Sequence, residues 1–279
     1  MMTGIVRLVL NKIQKISGSR VGLWIQRTSY AVYRQSCNPG YHFSNNGELR
    51  VLGALPQSAS ITVLDVGANT GHWSIACSDA CSNRASIYAF EPGDRNYARL
   101  KNTVENRANI TPINLGLSDV DATMEMLISD GTSVKSSVET SSARDLNTGV
   151  TDFHQEPHQF LRGDIFCGRQ GLDRIDFLKI DTEGHDYKVL LGFSEMISSG
   201  RVDVIQFEYN RLNVFVKSML MDFYNLLNKQ LTTDGYLIGR IYPNSVNFKE
   251  YSIYDENFVD GNFLAVRRNL SEQIKFLRG

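Results

Sequence analysis

The sequence predicts an α/β protein built on a mostly parallel sheet, and three observations carry that reading. From residue 61 onward, short apolar runs alternate with amphipathic stretches, the pattern of repeated strand–helix units. The first run, "ITVLDV" at 61 to 66, is apolar on both faces, as a strand covered from both sides must be. It ends in "GANTG", 67 to 71, a turn with almost no bulk, and such a turn lets the backbone come close to a ligand at a helix start.

The remaining elements follow in order. A helix is expected over 71 to 82, then the strand "SIYAFE" (86 to 91), then a helix over 93 to 106 whose inner face holds Tyr97, Leu100 and Val104. A third strand falls at 110 to 115. The polar clusters of 120 to 150 predict a surface hairpin inserted between units. Strands at 175 to 181, 202 to 208, 236 to 242 and 262 to 268 bring the total to seven, with helices at 186 to 199 and 217 to 230. No helix separates the last two strands, so the final one is expected to run antiparallel at the end of the sheet. The stretch "FHQEPHQF" reads as a loop bordering an acceptor pocket, since Pro157 breaks any helix that would align His154 with His158.

Ahead of the sheet lies an arm of different composition. Residues 3 to 16 space their apolar side chains as an amphipathic helix, a second short helix is expected over 20 to 34, and 37 to 48 is a turn-rich linker. The division expected is therefore a basic helical arm and linker over 1 to 47 and one large domain over 48 to 279. The arm holds Arg7, Lys12, Lys15, Arg20, Arg27 and Arg34 without an acidic residue, so it carries +6 while the rest of the chain sums to −7. Two readings stay open for it. A cationic amphipathic helix lies on an anionic membrane surface through residues 1 to 35, or, as is more common, it packs on its own domain or on a second subunit of a homo-oligomer.

Composition excludes several function classes. A net charge of −1 over 279 residues argues against a protein that holds nucleic acid along an extended basic face. No apolar run approaches the roughly 18 residues needed to span a bilayer, and the start of the chain lacks a signal peptide's core. The four cysteines, Cys37, Cys77, Cys81 and Cys167, show no paired metal spacing and read as buried thiols of a reducing cytoplasm. A cytoplasmic protein is expected, with membrane association on the cytoplasmic face as the variant.

In an open α/β sheet, ligands sit beyond the carboxyl ends of the strands. The residues found there are Asp65 with the 67 to 71 turn, Glu91, Ser118 and Asp119, Asp181, and Glu208 with Asn210. Glu91 ends the second strand, where an acid grips a ribose diol, so the turn and Glu91 together fit an adenosine-containing cofactor. A dinucleotide turn prefers a glycine where this chain has Asn69, which favours S-adenosylmethionine over NAD. A second patch, "IDFLKIDTEGHDYKVLLGF", ends a buried strand in Asp181, Glu183, His185 and Asp186. Helix capping explains one such acid but not a further carboxylate, Glu208, at the same rim.

Taken in order, "VLDVGANTGHWS", "FEPGDRNYARLKNTVENR", "LGLSD", "IDFLKIDTEGHDYKVLLGF" and "IQFEYN" resemble the FkbM family of S-adenosylmethionine-dependent methyltransferases, over roughly residues 43 to 268. The resemblance implies a Rossmann-like sheet of strand order 3-2-1-4-5-7-6 and O-methylation of a hydroxyl, on sugars of bacterial surface glycans or on natural products. By position it implies that Asp65, Gly67, Asn69, Gly71 and Glu91 hold the cofactor, with Glu48, Ser118 and Asp119 as neighbours.

An alcohol becomes a competent nucleophile when a base or a metal takes its proton, and a positioned base contributes roughly 10²- to 10⁴-fold. His185 is the expected base because its ordinary pKa is nearest neutrality, with Asp181, Glu183 and Glu208 orienting it or the acceptor. Magnesium on Asp181, Glu208 and Asn210 is a less favoured way to the same end, so no metal is assigned. Two other classes remain: an NAD-linked oxidoreductase, and a non-catalytic cofactor-binding module.

Overall fold

The computed structural model describes residues 4–38, 40, 42–55, 60–129, 136–137, 153–232, 234–270, 272 and 277. The chain divides into two compact units, Met1–Pro39 and Gly40–Gly279. The boundary falls earlier than the composition places it, because residues after it are already tied into the larger unit. Asn46 donates to the Glu48 carboxylate at 2.6 Å, and Gly47 lies so close to the Tyr242 carbonyl that a Cβ there would meet its oxygen at 2.1 Å.

The first unit is a pair of helices, α1 (Gly4–Lys15) and α2 (Arg20–Ser36). Ser19 caps α2 by accepting from the Gly22 N–H at 3.1 Å. Gly22 itself is buried against the Ile16 carbonyl, at a separation that a Cβ would close to 2.2 Å, so glycine lets the two helices meet at their turn.

In the second unit a short helix α3 (Glu48–Leu52) precedes β1 (Ile61–Val66), α4 (His72–Ala80), β2 (Ala85–Phe90), α5 (Asp94–Thr103) and β3 (Ile110–Ile113). Next come β4 (Gly116–Ser118), β5 (Ala122–Ser129), β6 (Ser136–Ser137) and β7 (Phe153–Arg162), then α6 (Gly163–Gln170), β8 (Ile175–Ile180), α7 (Asp186–Gly192) and α8 (Ser194–Ser198). The chain continues through β9 (Val202–Tyr209), α9 (Leu212–Val216), α10 (Leu220–Asn225), β10 (Tyr236–Tyr242), β11 (Ser245–Phe248) and β12 (Gly261–Arg267). The helix expected over 217 to 230 passes from α10 into a π-helical turn at Leu226–Gln230.

The main sheet runs β11-β10-β12-β9-β8-β1-β2-β3. Its members from β3 to β9 are mutually parallel, and β12 is antiparallel to both β9 and β10. This is the implied order 3-2-1-4-5-7-6 with one extra hairpin strand, β11, on the β10 edge. The last strand is antiparallel as expected, but it is wedged between β9 and β10 and not at the sheet's end. Chain order reverses at β1, which has β2 on one side and β8 on the other, and there a crevice opens at the carboxyl ends.

Both faces of the sheet are covered, which is why β1 reads as apolar throughout. Leu64 and Val66 join one core with Phe90, Leu178, Ile180 and Phe207, while Ile61 and Val63 join the other with Ile87, Phe177 and Val266. Each fully buried side chain of this size contributes about 1.5–3 kcal/mol. Asp65 shares the parity of Val63 and so turns toward α4.

A second sheet, β4-β7-β5-β6, occupies the place of the expected surface hairpin. Strands β5 and β7 pair antiparallel from Ala122↔Phe160 to Ser129↔Phe153. "FHQEPHQF" is therefore strand and not loop, and alternation along β7 puts His154, Glu156 and His158 on one face. His154 Nε2 lies 2.7 Å from Glu156 Oε1, and a strand tolerates the Pro157 that no helix would. The rest of the hairpin region, 130 to 135 and 138 to 152, lies outside the described residues.

Candidate active site

Two hollows open at the carboxyl ends of β1 and β8, and they share Gly67, Asn69, Asp181 and Glu183. The first is lined by Phe90, Glu91, Pro92 and Asn96 on one side and Leu115, Gly116, Leu117, Met126 and Phe160 on the other. The second, of about 750 Å³, carries Glu48, Lys179, Glu208, Asp260 and Asn262, with Trp73 and Arg99. That size lies within the roughly 300–1,000 Å³ of small-molecule sites.

The turn between β1 and α4 is shaped by positive backbone torsions. Gly67 has φ +81°, and a Cβ there would stand 2.0 Å from the Asp181 carbonyl oxygen, so only glycine lets β1 and β8 end side by side. Gly67 and Ala68 both donate to the Phe90 carbonyl, at 3.1 and 2.8 Å. Asn69, at φ +50°, donates its N–H to Glu91 Oε2 at 3.0 Å. The Gly93 N–H meets the other carboxylate oxygen at 3.0 Å. Each oxygen thus keeps one lone pair. Burial, outweighing these donors, pushes Glu91 up to about 7. Gly71 serves packing instead: a Cβ there would meet Leu100 Cδ1 at 2.6 Å, and it borders neither hollow.

Asp65 is wholly buried and also borders neither hollow. Its carboxylate accepts from Ser74 Oγ at 2.6 Å and from Lys179 Nζ at 3.0 Å. Lys179 also lies 3.6 Å from Asp181 Oδ2 and 5.3 Å from the centre of the Trp73 ring. Burial alone would lower the pKa of this ammonium, but Asp65, Asp181 and Glu48 together hold it above the ordinary lysine value. Glu48 is committed as well. It accepts from Asn46 (2.6 Å), Asn262 (2.8 Å), Trp73 Nε1 (3.0 Å) and Gln206 (2.6 Å), so it pins the entering segment to β9, β12 and α4.

The turn after β8 places the acids. Asp186, buried and pushed up to about 6 by burial, accepts from Thr182 N–H (3.2 Å) and Thr182 Oγ1 (2.7 Å) and from the Glu208 N–H (3.0 Å). That one carboxylate fastens the end of β8 to β9. Glu183 sits at φ +52°, an unusual conformation for a residue with a side chain, and is held there at the junction of the hollows. Glu208, half-buried in the second hollow, accepts from Asn210 Nδ2 at 2.6 Å. Burial first, then the charges of Asp181, Glu183, Asp186 and Asp260, hold its pKa well above the usual carboxylate range. Asn210 is spent on Glu208 and on the Leu212 N–H, so it is not a free metal ligand. Among the described residues no group of three His, Cys, Asp or Glu side chains could hold a metal ion.

His185 is placed differently from its expected role. Only 2% exposed, it borders the first hollow and not the second, and its Nε2 lies 2.9 Å from Ser118 Oγ. Burial, with Lys188 nearby, lowers its pKa to about 4, so it is neutral at physiological pH and a weak base. Ser118 and Asp119 bond each other at 3.0 Å and border neither hollow; Leu117 takes the lining position beside them.

The Methyltransferase FkbM domain family matches residues 65–236 of this chain. The chain belongs to the FkbM methyltransferase family. The family is one of methyltransferases. Among known relatives, the hexuronic acid methyltransferase AglP of Haloferax volcanii is 26% identical over 147 residues, which is 51% of this chain and 54% of AglP. The chain thus matches only about half the length of that relative. Among solved structures, the methyltransferase FkbM from Methylobacillus flagellatus is 15% identical, with a TM-score of 0.47 over 74% of this chain and 43% of its own. A SAM-dependent methyltransferase from Aquifex aeolicus is 11% identical, with a TM-score of 0.43 over 85% and 97%.

Within this family member, sequence reasoning missed Lys179, Asn96 and the bridging role of Asp186. A signal existed for the first, since a lysine inside the apolar run "IDFLKI" must have acidic partners if it is buried. Asn96 is 2% exposed, borders the first hollow, and its Oδ1 has no hydrogen-bond partner among the described residues. Nothing in its local sequence distinguishes it from other polar residues of α5.

Proposed function

We propose that this methyltransferase transfers the methyl group of S-adenosylmethionine to a hydroxyl of a sugar. One observation carries the proposal: a crevice of about 150 Å³ beside the Glu91 carboxylate and a larger acidic cleft share a boundary formed by the Gly67–Asn69 turn and by Asp181 and Glu183. The residues present fit the cofactor. Glu91 retains two acceptor positions for a ribose diol, and the orphaned Asn96 Oδ1 is a third acceptor beside them. Phe90, Leu117 and Phe160 offer apolar walls to a base, while the carboxylates of Asp181, Glu183 and Glu208 suit a cation. The cofactor when bound supplies an electrophilic methyl on a sulfonium.

The protein's own part is alignment and proton removal. Gly67 and Asn69 border both hollows, so an acceptor held in the second would lie beside a donor held in the first, and alignment of the two is what the site would contribute. Glu208 is the group we assign to take the hydroxyl proton. It stands in the second hollow, and with one oxygen steadied by Asn210 the ionised carboxylate has the other oxygen to accept the proton. Asp181 and Glu183 supply acceptors that orient the sugar. The hexuronic acid named for AglP supports a sugar acceptor.

The test is turnover across a panel of glycans, scored by a mass gain of one methylene and by release of the demethylated cofactor. Glu208→Gln should lower kcat by roughly 10²- to 10⁴-fold with cofactor affinity unchanged. Methylation of nitrogen or carbon acceptors only, or full turnover in Glu208→Gln, overturns the proposal.

A further inference from the structure

The helical arm carries an arrangement that methyl transfer does not use. Along α2, Arg20, Arg27 and Arg34 follow one another at seven-residue intervals, which returns each to nearly the same helix face. Leu23 and Tyr30 flank that stripe on one side and Trp24 on the other, all exposed, Trp24 to 66%. In α1 the exposed Val6, Val9 and Leu10 form one face, Lys15 stands opposite it beside the exposed Leu8, and Arg7 lies between the two. Neither helix contains an acidic residue.

Beyond their meeting at Gly22, the two helices of the arm leave apolar side chains that neither helix covers for the other. Cations alone would suit nucleic acid, and apolar side chains alone would suit another protein. The two interleaved, with Trp and Tyr among them, suit an interface that is anionic at its surface and apolar beneath. No helix of the described residues is long and apolar enough to cross a membrane.

We infer that the arm docks on an anionic lipid bilayer surface, with its arginines and lysines at the phosphates and its exposed apolar side chains, Trp24 among them, at the boundary with the acyl chains. The inference is independent of which acceptor the enzyme methylates.

Vesicles of equal parts phosphatidylglycerol and phosphatidylcholine, compared with phosphatidylcholine alone, test it by flotation of the full chain. Binding to the anionic vesicles only, weakening as salt is raised, is expected, with a blue shift of tryptophan emission that Trp24→Phe removes while the buried Trp73 remains. The triple variant R20Q/R27Q/R34Q should partition about a hundredfold less. The salt titration on the unaltered chain reads the same interaction should that variant fold poorly. Four results overturn the inference: equal binding to both vesicle types, triple-variant binding unchanged, retention on an oligonucleotide without vesicle binding, or self-association that hides Trp24 when no lipid is present.

Discussion

Acidification should weaken cofactor binding through Glu91 alone. In the free protein the carboxylate titrates at about 7, raised mainly by burial, with the charge of Asp65 adding to it and Asn69, Gly93 and Asn96 opposing. Both backbone donors already occupy one lone pair of each oxygen, so accepting two ribose hydroxyls requires the ionised form. Binding therefore lowers the Glu91 pKa and is opposed by protonation. Affinity is full above the free-state value and falls as pH drops through it. Between about pH 8 and about pH 6 the dissociation constant should rise roughly tenfold, or about 1.4 kcal/mol. Calorimetric titration of S-adenosylmethionine across that range measures it, with Glu91→Gln as the control for other titrating groups. The variant should bind more weakly and show a flatter profile. A constant affinity in the unaltered protein, or the same slope in Glu91→Gln, refutes the assignment of Glu91 to the ribose.

Other consequences concern the groups around it. Replacing Lys179 with Met strands the buried Asp65 charge and should cost about 3–5 kcal/mol in urea unfolding; a shift of a few tenths would mean that Ser74 suffices as its partner. Gly67→Ala combines a positive φ with a Cβ 2.0 Å from the Asp181 carbonyl and should lose about 2–4 kcal/mol, whereas an unchanged midpoint would show that the β1 turn yields easily. His185→Gln should change cofactor affinity more than kcat and leave the shape of the pH–rate profile intact, because the imidazole is already neutral above about 4. Loss of a limb near the ordinary histidine pKa on that substitution would return His185 to the role of base.

Periodicity and turn chemistry were enough to place seven of the eight strands of the main sheet, all but β11, since a strand covered on both faces and ended by "GANTG" has few other readings, and the rim acids followed from the rule that ligands meet strand carboxyl ends. The second sheet was not legible: β7 runs through consecutive polar residues, His154, Gln155 and Glu156, and then a proline, which hides a strand's alternation, and its pairing with β5 is a contact between segments far apart in the chain. Nor could spacing separate the residues that face the hollows from those that hold them in place. Asp65 and Gly71 look like lining residues in one dimension, yet they border neither hollow, an ammonium and the Leu100 side chain respectively packing against them. His185 and Glu208 show why. A side chain's proton affinity depends on what surrounds it: burial lowers that of the His185 imidazole, while burial and then the neighbouring carboxylates raise that of Glu208, and spacing along the chain carries neither effect.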